Sequence, residues 1–309
     1  MTNYNFKIWK RRCIINSISE IESNLKPRKE AATLKITTLM DNLPSENKAL
    51  VNEHGLSVLI ERGSKRFLFD CGQGAHTWAN ARRLGLNVKR IDAVILSHSH
   101  YDHAAGFCDL IEQGGGGSVL WTGPRFFEPK FAFDGLKYTD LSCGFDEDYL
   151  MRNGVSHCEC TDVVELDAGA WLVGNFPRRH SFETIPERFV RQTEKGMTRD
   201  DFGDEICLAL DTKDGLVVQV GCSHPGILNM IETVHERLNR PVYAVFGGTH
   251  LVEADEARVK ETVERLRAMG LKILGLSHCS GQKAESCIHS DETVRSCHMA
   301  VGDCVWFNE

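Results

Sequence analysis

Three histidines and a carboxylate fall within six positions of Ser97-His98-Ser99-His100-Tyr101-Asp102-His103, directly behind the apolar run Ile91-Asp92-Ala93-Val94-Ile95-Leu96. A strand that ends in His-x-His-x-Asp-His delivers imidazole and carboxylate donors to one point at a sheet edge. Such donors suit a borderline-soft divalent ion such as zinc, or manganese or iron. The chain holds 13 histidines. Chance would rarely gather so many at this spacing behind a buried strand, so a histidine-rich surface loop is the weaker explanation.

Similar endings recur along the chain. Apolar runs lead into Asp70, into Gly221-Cys222-Ser223-His224, into Gly247-Gly248-Thr249-His250 and into Ser277-His278-Cys279. One histidine after a strand is usually a surface residue or a satisfied core residue. Several such endings beside the main cluster point to one distributed site, held in geometry by the rigidity of the sheets that carry it.

The elements that must position these residues follow from periodicity. β-rich runs predict strands over 33–39, 56–61, 66–70, 93–96, 118–121, 163–166, 170–173, 206–210, 216–220, 242–246, 272–276 and 304–307. Tight turns at Arg62-Gly63-Ser64 and Asp211-Thr212-Lys213-Asp214-Gly215 mark hairpins. Helices are expected over 76–84, up to Gln113, after Pro225, and through Val259, Val263 and Leu266, which share one face. Residues 1–31 read as an N-terminal extension, partly helical over 17–25, and residues 32–309 as the main domain. Two insertions without a regular pattern are expected near 123–160 and 177–204. The first is rich in aromatics and serves either as a wall of the site or as packing. The second carries Arg178, Arg179, His180, Arg188 and Arg191, either a solvated face or an anion contact.

The composition is that of a globular protein, 309 residues with 42% apolar and 26% charged residues. A net charge of −7 argues against binding to a nucleic-acid backbone, which needs phosphates neutralised by Lys and Arg. A phosphorylated small molecule needs only a local pair of cations and stays open as substrate. No run approaches the ~20 apolar residues of a membrane span, and no secretory signal is visible. With 12 irregularly spaced cysteines, these features predict a reduced, cytoplasmic protein with free thiols and no membrane partner. Cys158-x-Cys160 beside His157 is a weak candidate for a further metal. Whether the chain forms a homo-oligomer stays open.

With these residues in hand, His98-x-His100-x-Asp102-His103 resembles the metal-binding signature of the metallo-β-lactamase fold hydrolases, over about residues 32–307. Leu39-Met40-Asp41-Asn42, Glu53-His54-Gly55-Leu56-Ser57, Gly221-Cys222-Ser223-His224, Gly247-Gly248-Thr249-His250-Leu251 and His278-Cys279-Ser280-Gly281 are similar to one branch. That branch contains the dihydropterin aminobenzene ribofuranosyl-phosphate synthase of methanopterin biosynthesis. The resemblance implies an α/β fold, a four-layer αββα sandwich of the metallo-β-lactamase type, and one or two divalent ions, zinc first. It implies that His98 and His100 bind a first ion, that Asp102, His103 and His278 bind a second, and that Asp70 orients the cluster from behind.

Two positions depart from the family. Cys222 stands where the family carries a bridging aspartate, either as a thiolate ligand or, as expected here, a buried thiol. The family's third histidine for the first ion has no direct match. His224 is expected to supply that ligand, the alternative being a cap on the helix after Pro225. The implied activity is hydrolysis of a small ester-like or phosphorylated substrate by a metal-activated water. Asp102 would be both ligand and proton acceptor, and His250 a general acid or anion contact. The alternatives are a pterin-related synthase joining an aminobenzoate to phosphoribosyl diphosphate, an iron-dependent oxidoreductase, and a non-catalytic metal or ligand sensor.

Overall fold

The computed structural model describes residues 13–14, 33–116, 119–290 and 293–308. The helix expected over 17–25 therefore lies outside the described residues. Two large sheets dominate. One runs in the order Cys13–Ile14, Cys304–Asn308, Thr33–Met40, Ser57–Arg62, Lys65–Phe69, Ala93–Ile95, Val119–Thr122, Ser156–Glu159. The other runs Val163–Asp167, Ala170–Val173, Cys207–Thr212, Gly215–Gln219, Val242–Gly247, Ile273–Leu276, Arg295–His298. In each sheet a hairpin-linked antiparallel half passes into a parallel half. The changes occur at the pairing of Lys65–Phe69 with Ala93–Ile95 and of Gly215–Gln219 with Val242–Gly247.

The alternation of apolar residues builds the layers. Val58, Ile60, Phe67, Phe69, Leu208, Leu210 and Val217 point between the sheets. Their neighbours Leu59, Leu68 and Val94 point outward against Trp78 and Phe107, on the helices His76–Arg83 and Gly106–Glu112. On the second sheet Leu216 and Val218 face the helices Ile227–Leu238 and Glu256–Ala268 through Ile227, Ile231, Val259 and Val263. Strands buried on both faces read as continuous apolar runs, and these do. The result is the expected four-layer αββα sandwich. No helix among the described residues is long and apolar enough to cross a membrane.

One expectation about elements needs correction. The segments 123–160 and 177–204 are not irregular: Lys130–Phe133 and Tyr138–Asp140 from the first pair with Phe189–Thr193 and Gly196–Arg199 from the second in one four-stranded sheet. The first also contributes the helix Glu147–Arg152 and the strand Ser156–Glu159. The helix Gln282–His289 and the polar strand Arg295–His298 were not anticipated. Arg178, Arg179, Arg188 and Arg191 are committed internally, to the Asp201 carbonyl, Glu236, Glu253 and Glu128. His180 pairs with Glu232. An anion contact from this group would have to compete with those partners.

Candidate metal centre

The strand ends meet at one edge of the sandwich. Asp70, Ser223, His250 and His278 leave their strands with φ of 57°, 62°, 49° and 51°. That left-handed conformation turns the chain sharply; it is uncommon for residues other than glycine and collects at functional sites. Gly221 lies so close to Ser97 that a Cβ would collide with its side chain. This contact brings the Cys222–His224 turn of one sheet onto the histidine loop of the other.

Two clusters form there. In the first, one ring nitrogen each of His98, His100 and His224 lies within 4.8 Å of the others. The three rings are 0%, 6% and 4% exposed. Among the described residues, His98 Nε2, His100 Nε2 and both nitrogens of His224 have no hydrogen-bond partner. Leaving buried imidazole nitrogens bare is costly, and burial pushes all three histidines well below their ordinary pKa. Neutral, desolvated and convergent imidazoles are what a divalent ion requires. The residues therefore fit the ion that the signature implies. His224 caps nothing: the following helix Ile227–Leu238 begins at Gly226 without a side-chain cap.

In the second cluster, Asp102 Oδ2 is 3.1 Å from His278 Nε2 and 3.7 Å from His103 Nε2. His103 Nε2 lies 3.3 Å from His278 Nε2 and 3.1 Å from Cys222 Sγ. Asp102 is buried, which alone would raise its pKa, but His103, His278 and His54 outweigh burial and hold it ionised. Burial also opposes charge on His103, yet Asp70 and Asp102 lift it to about 9. The negative charge that holds this proton is the charge a bound cation would neutralise in its place. Cys222 is buried, and desolvation, then Cys279, push its thiol well above the ordinary range.

Outer contacts fix three of the rings. Ser97 Oγ donates to Asp70 Oδ2 (2.9 Å) and accepts from His98 Nδ1 (2.9 Å), which leaves His98 Nε2 facing the centre. Asp70 also accepts from His103 Nδ1 (2.7 Å) and from the Ser97 amide (2.7 Å). His278 Nδ1 donates to Asn42 Oδ1 (2.8 Å), and its amide donates to Asp41 Oδ1 (2.6 Å). Such partners set tautomer and ring orientation. His250 is 8% exposed, with its ring 4.3 Å from that of His224, and belongs to neither cluster. Burial lowers its pKa to about 4. At neutral pH it is then an uncharged imidazole.

Several residues at the centre gave no signal in the sequence. Phe202 stacks on His224 with ring centroids 3.7 Å apart and an interplanar angle of 15°. Lys130 Nζ lies 4.4 Å from the same ring centre, paired with Asp204 (2.6 Å) and Asp200 (3.0 Å). Asp204 in turn accepts the Ser99 amide (3.0 Å) between the first two histidines. Glu205 accepts the amides of Ser223 (2.6 Å) and His224 (2.8 Å), and burial raises its pKa to about 8. Only the run Asp200-Asp201-Phe202-Gly203-Asp204-Glu205 could have hinted at them. Cys158 and Cys160 join no metal-binding group among the described residues; the Cys160 thiol contacts the Asp162 carbonyl, and His157 bonds Thr122.

Comparison with known proteins agrees with this fold. A family model described as the metallo-beta-lactamase superfamily matches residues 51–121. The 7,8-dihydropterin-6-methyl-4-(beta-D-ribofuranosyl)-aminobenzene-5'-phosphate synthase of Methanocaldococcus jannaschii is 34% identical over 268 residues, covering 82% of this chain and 90% of the synthase. Among solved structures, Tm1679, titled a metal-dependent hydrolase of the beta-lactamase superfamily, superposes with a TM-score of 0.73 at 26% identity, over 87% of this chain and 97% of its own. Zn(2+)-bound PqqB of Methylobacterium extorquens shares the fold at 10% identity, with a TM-score of 0.53 over 89% of this chain and all of its own.

Proposed function

Because the chain belongs to the metallo-β-lactamase superfamily, in the branch of the dihydropterin aminobenzene ribofuranosyl-phosphate synthase, we propose that it is a divalent-metal-dependent transferase that joins a pterin-type methylene to an aromatic amine. The observation that carries this reading is the 34% identity that extends over 90% of the synthase. The product named for that relative bears a dihydropterin-6-methyl group on the aminobenzene. The bond we assign is therefore methylene carbon to amine nitrogen, not the aminobenzoate–phosphoribosyl bond considered from the sequence. In the step, the C–O bond to a phosphate-type leaving group breaks and the C–N bond forms. The leaving group departs with the electron pair, and the amine releases a proton to solvent.

His98, His100 and His224 would hold one ion, and Asp102, His103 and His278 the other. When bound, these ions supply positive charge for the leaving-group oxygens. The protein's own part is to orient and to exclude water. The six donors are 0–8% exposed, and a dry centre favours transfer to an amine over attack by water. Phe189, packed against the rings of His100, His224 and His250 at 5.5, 5.3 and 6.0 Å, is an apolar wall suited to a flat heterocycle. His250 beside it would donate a hydrogen bond to an anionic group.

Hydrolysis is the second reading, favoured by the likeness to Tm1679. One experiment separates the two. The metal-loaded protein is given 6-hydroxymethyl-dihydropterin activated as its diphosphate ester, with and without ribofuranosylaminobenzene phosphate, and products are identified by mass spectrometry. The transferase reading predicts the joined product, abolished in His98→Ala. Release of pterin alcohol at the same rate with or without the amine would favour hydrolysis instead.

A further inference from the structure

The loop between the strands Thr33–Met40 and Ser57–Arg62 brings to the centre a histidine that lies outside the signature. The His54 side chain is 56% exposed, yet its Nε2 is turned inward, 3.1 Å from Asp102 Oδ2. His278 Nε2 stands at the same 3.1 Å from that oxygen, with the His54 and His278 ring centroids 4.8 Å apart. Donors about 2.0–2.1 Å from a tetrahedral ion are roughly 3.3 Å from one another. The three contacts around Asp102 and His278 (3.1, 3.1 and 3.3 Å) match that spacing. His54, Asp102 and His278 together form a group able to hold an ion.

An exposed histidine that hydrogen-bonds a carboxylate is ordinary, and the loop's anchoring is what separates His54 from that case. Asn42 Oδ1 accepts the Gly55 amide (3.0 Å) as well as His278 Nδ1 (2.8 Å), so one side chain sets both histidine-bearing segments. The Leu56 amide donates to the Asp102 carbonyl (3.2 Å). Gly55, at φ +142°, packs so tightly on that carbonyl oxygen that a Cβ would collide with it. The backbone that follows the imidazole is thus fastened both to the ligand loop and to the partner of a ligand.

We propose that His54 is a ligand of the second ion, closing its solvent side. The other donors of that position are buried, Asp102 and His103 on the short helix Tyr101–Ala104 and His278 just past the strand Ile273–Leu276, whereas His54 stands on a loop at the surface. This inference rests on the metal centre and not on the substrate, so its test contains no substrate and can fail independently of the transferase reading.

The test titrates the full-length protein with Co(II) and Zn(II) against a chromophoric chelator, with elemental analysis of the loaded protein. His54→Ala, His54→Gln and wild type are compared. Glutamine can still donate a hydrogen bond to Asp102 but is a poor ligand. The expected result is two binding events in wild type. In both variants the first is unchanged and the second is weakened at least about tenfold, the lower end of what losing a supporting partner costs. Wild-type affinity for the second ion in His54→Gln would show a hydrogen-bonding role only and overturn the proposal. Retention in His54→Ala, or a single event in wild type, would overturn it as well.

Discussion

Replacing Lys130 by methionine removes one charge and little volume. Lys130 is 2% exposed and lies between Asp200 Oδ2 (3.0 Å) and Asp204 Oδ1 (2.6 Å), themselves 1% and 3% exposed. Burial opposes its charge, but Asp204 and Asp200 more than compensate and raise its pKa. Methionine would leave two buried carboxylates facing each other without a cation. Breaking a buried pair in this way costs about 3–5 kcal/mol.

The sign of the pH dependence follows. Burial already lifts Asp200 above its ordinary pKa, Lys130 being the main opposing influence, and without that cation it rises further. A carboxyl group raised in the folded state costs stability when ionised, so the variant's deficit should grow as pH rises through its folded pKa. Urea unfolding of wild type and Lys130→Met at about pH 5.5 and pH 8 reads this directly, and Lys130→Met/Asp200→Asn should recover part of the loss. A deficit below about 1 kcal/mol, or one equal at both pH values, would refute the reasoning. Because Asp204 also holds the Ser99 amide (3.0 Å), the variant should bind the first ion more weakly as well.

Other outcomes follow from neighbouring contacts. Hydrogen bonds that His298 donates to Asp41 and Glu285 overcome burial and raise its pKa to about 9. Its stabilisation is full below about pH 6.5 and fades as pH rises through 9, at most about 3 kcal/mol for such a shift; the unfolding free-energy gap between wild type and His298→Asn should narrow from pH 7 to pH 9.5. Phe202→Leu loses the stack on His224 (3.7 Å) and the face beneath Lys130 (4.4 Å). A cost of about 1–2 kcal/mol is expected, with weaker binding of the first ion in an equilibrium titration. Removing bound ions with a chelator should lower the melting temperature, because an ion present at a hundredfold over its Kd stabilises by about 2.7 kcal/mol.

The sequence made visible what is local. Period-two runs such as Phe67-Leu68-Phe69 sort their own side chains between the layers, and the signature sets four donors by spacing alone. His224 was legible as a donor but not as distinct from a cap; that distinction depended on Gly226 starting the helix. The insertion sheet was not legible because its strands, such as Tyr138–Asp140 and Gly196–Arg199, are too short for a period to register. Its pairing also joins segments far apart in the chain. The same distance hides Lys130 from Asp204 and His54 from Asp102. Each pair meets only once the sheets are assembled, and no local pattern encodes the meeting.

A two-position metal centre with His224 in the place of the family's missing histidine has a direct consequence for metal content. Elemental analysis of the purified full-length protein, after titration with zinc, manganese or iron, should find about two divalent ions per chain. His224→Ala should lose one of them while keeping its fold by circular dichroism. A wild-type protein that takes up none of these metals, or a His224→Ala variant that retains both ions at wild-type affinity, would contradict the account.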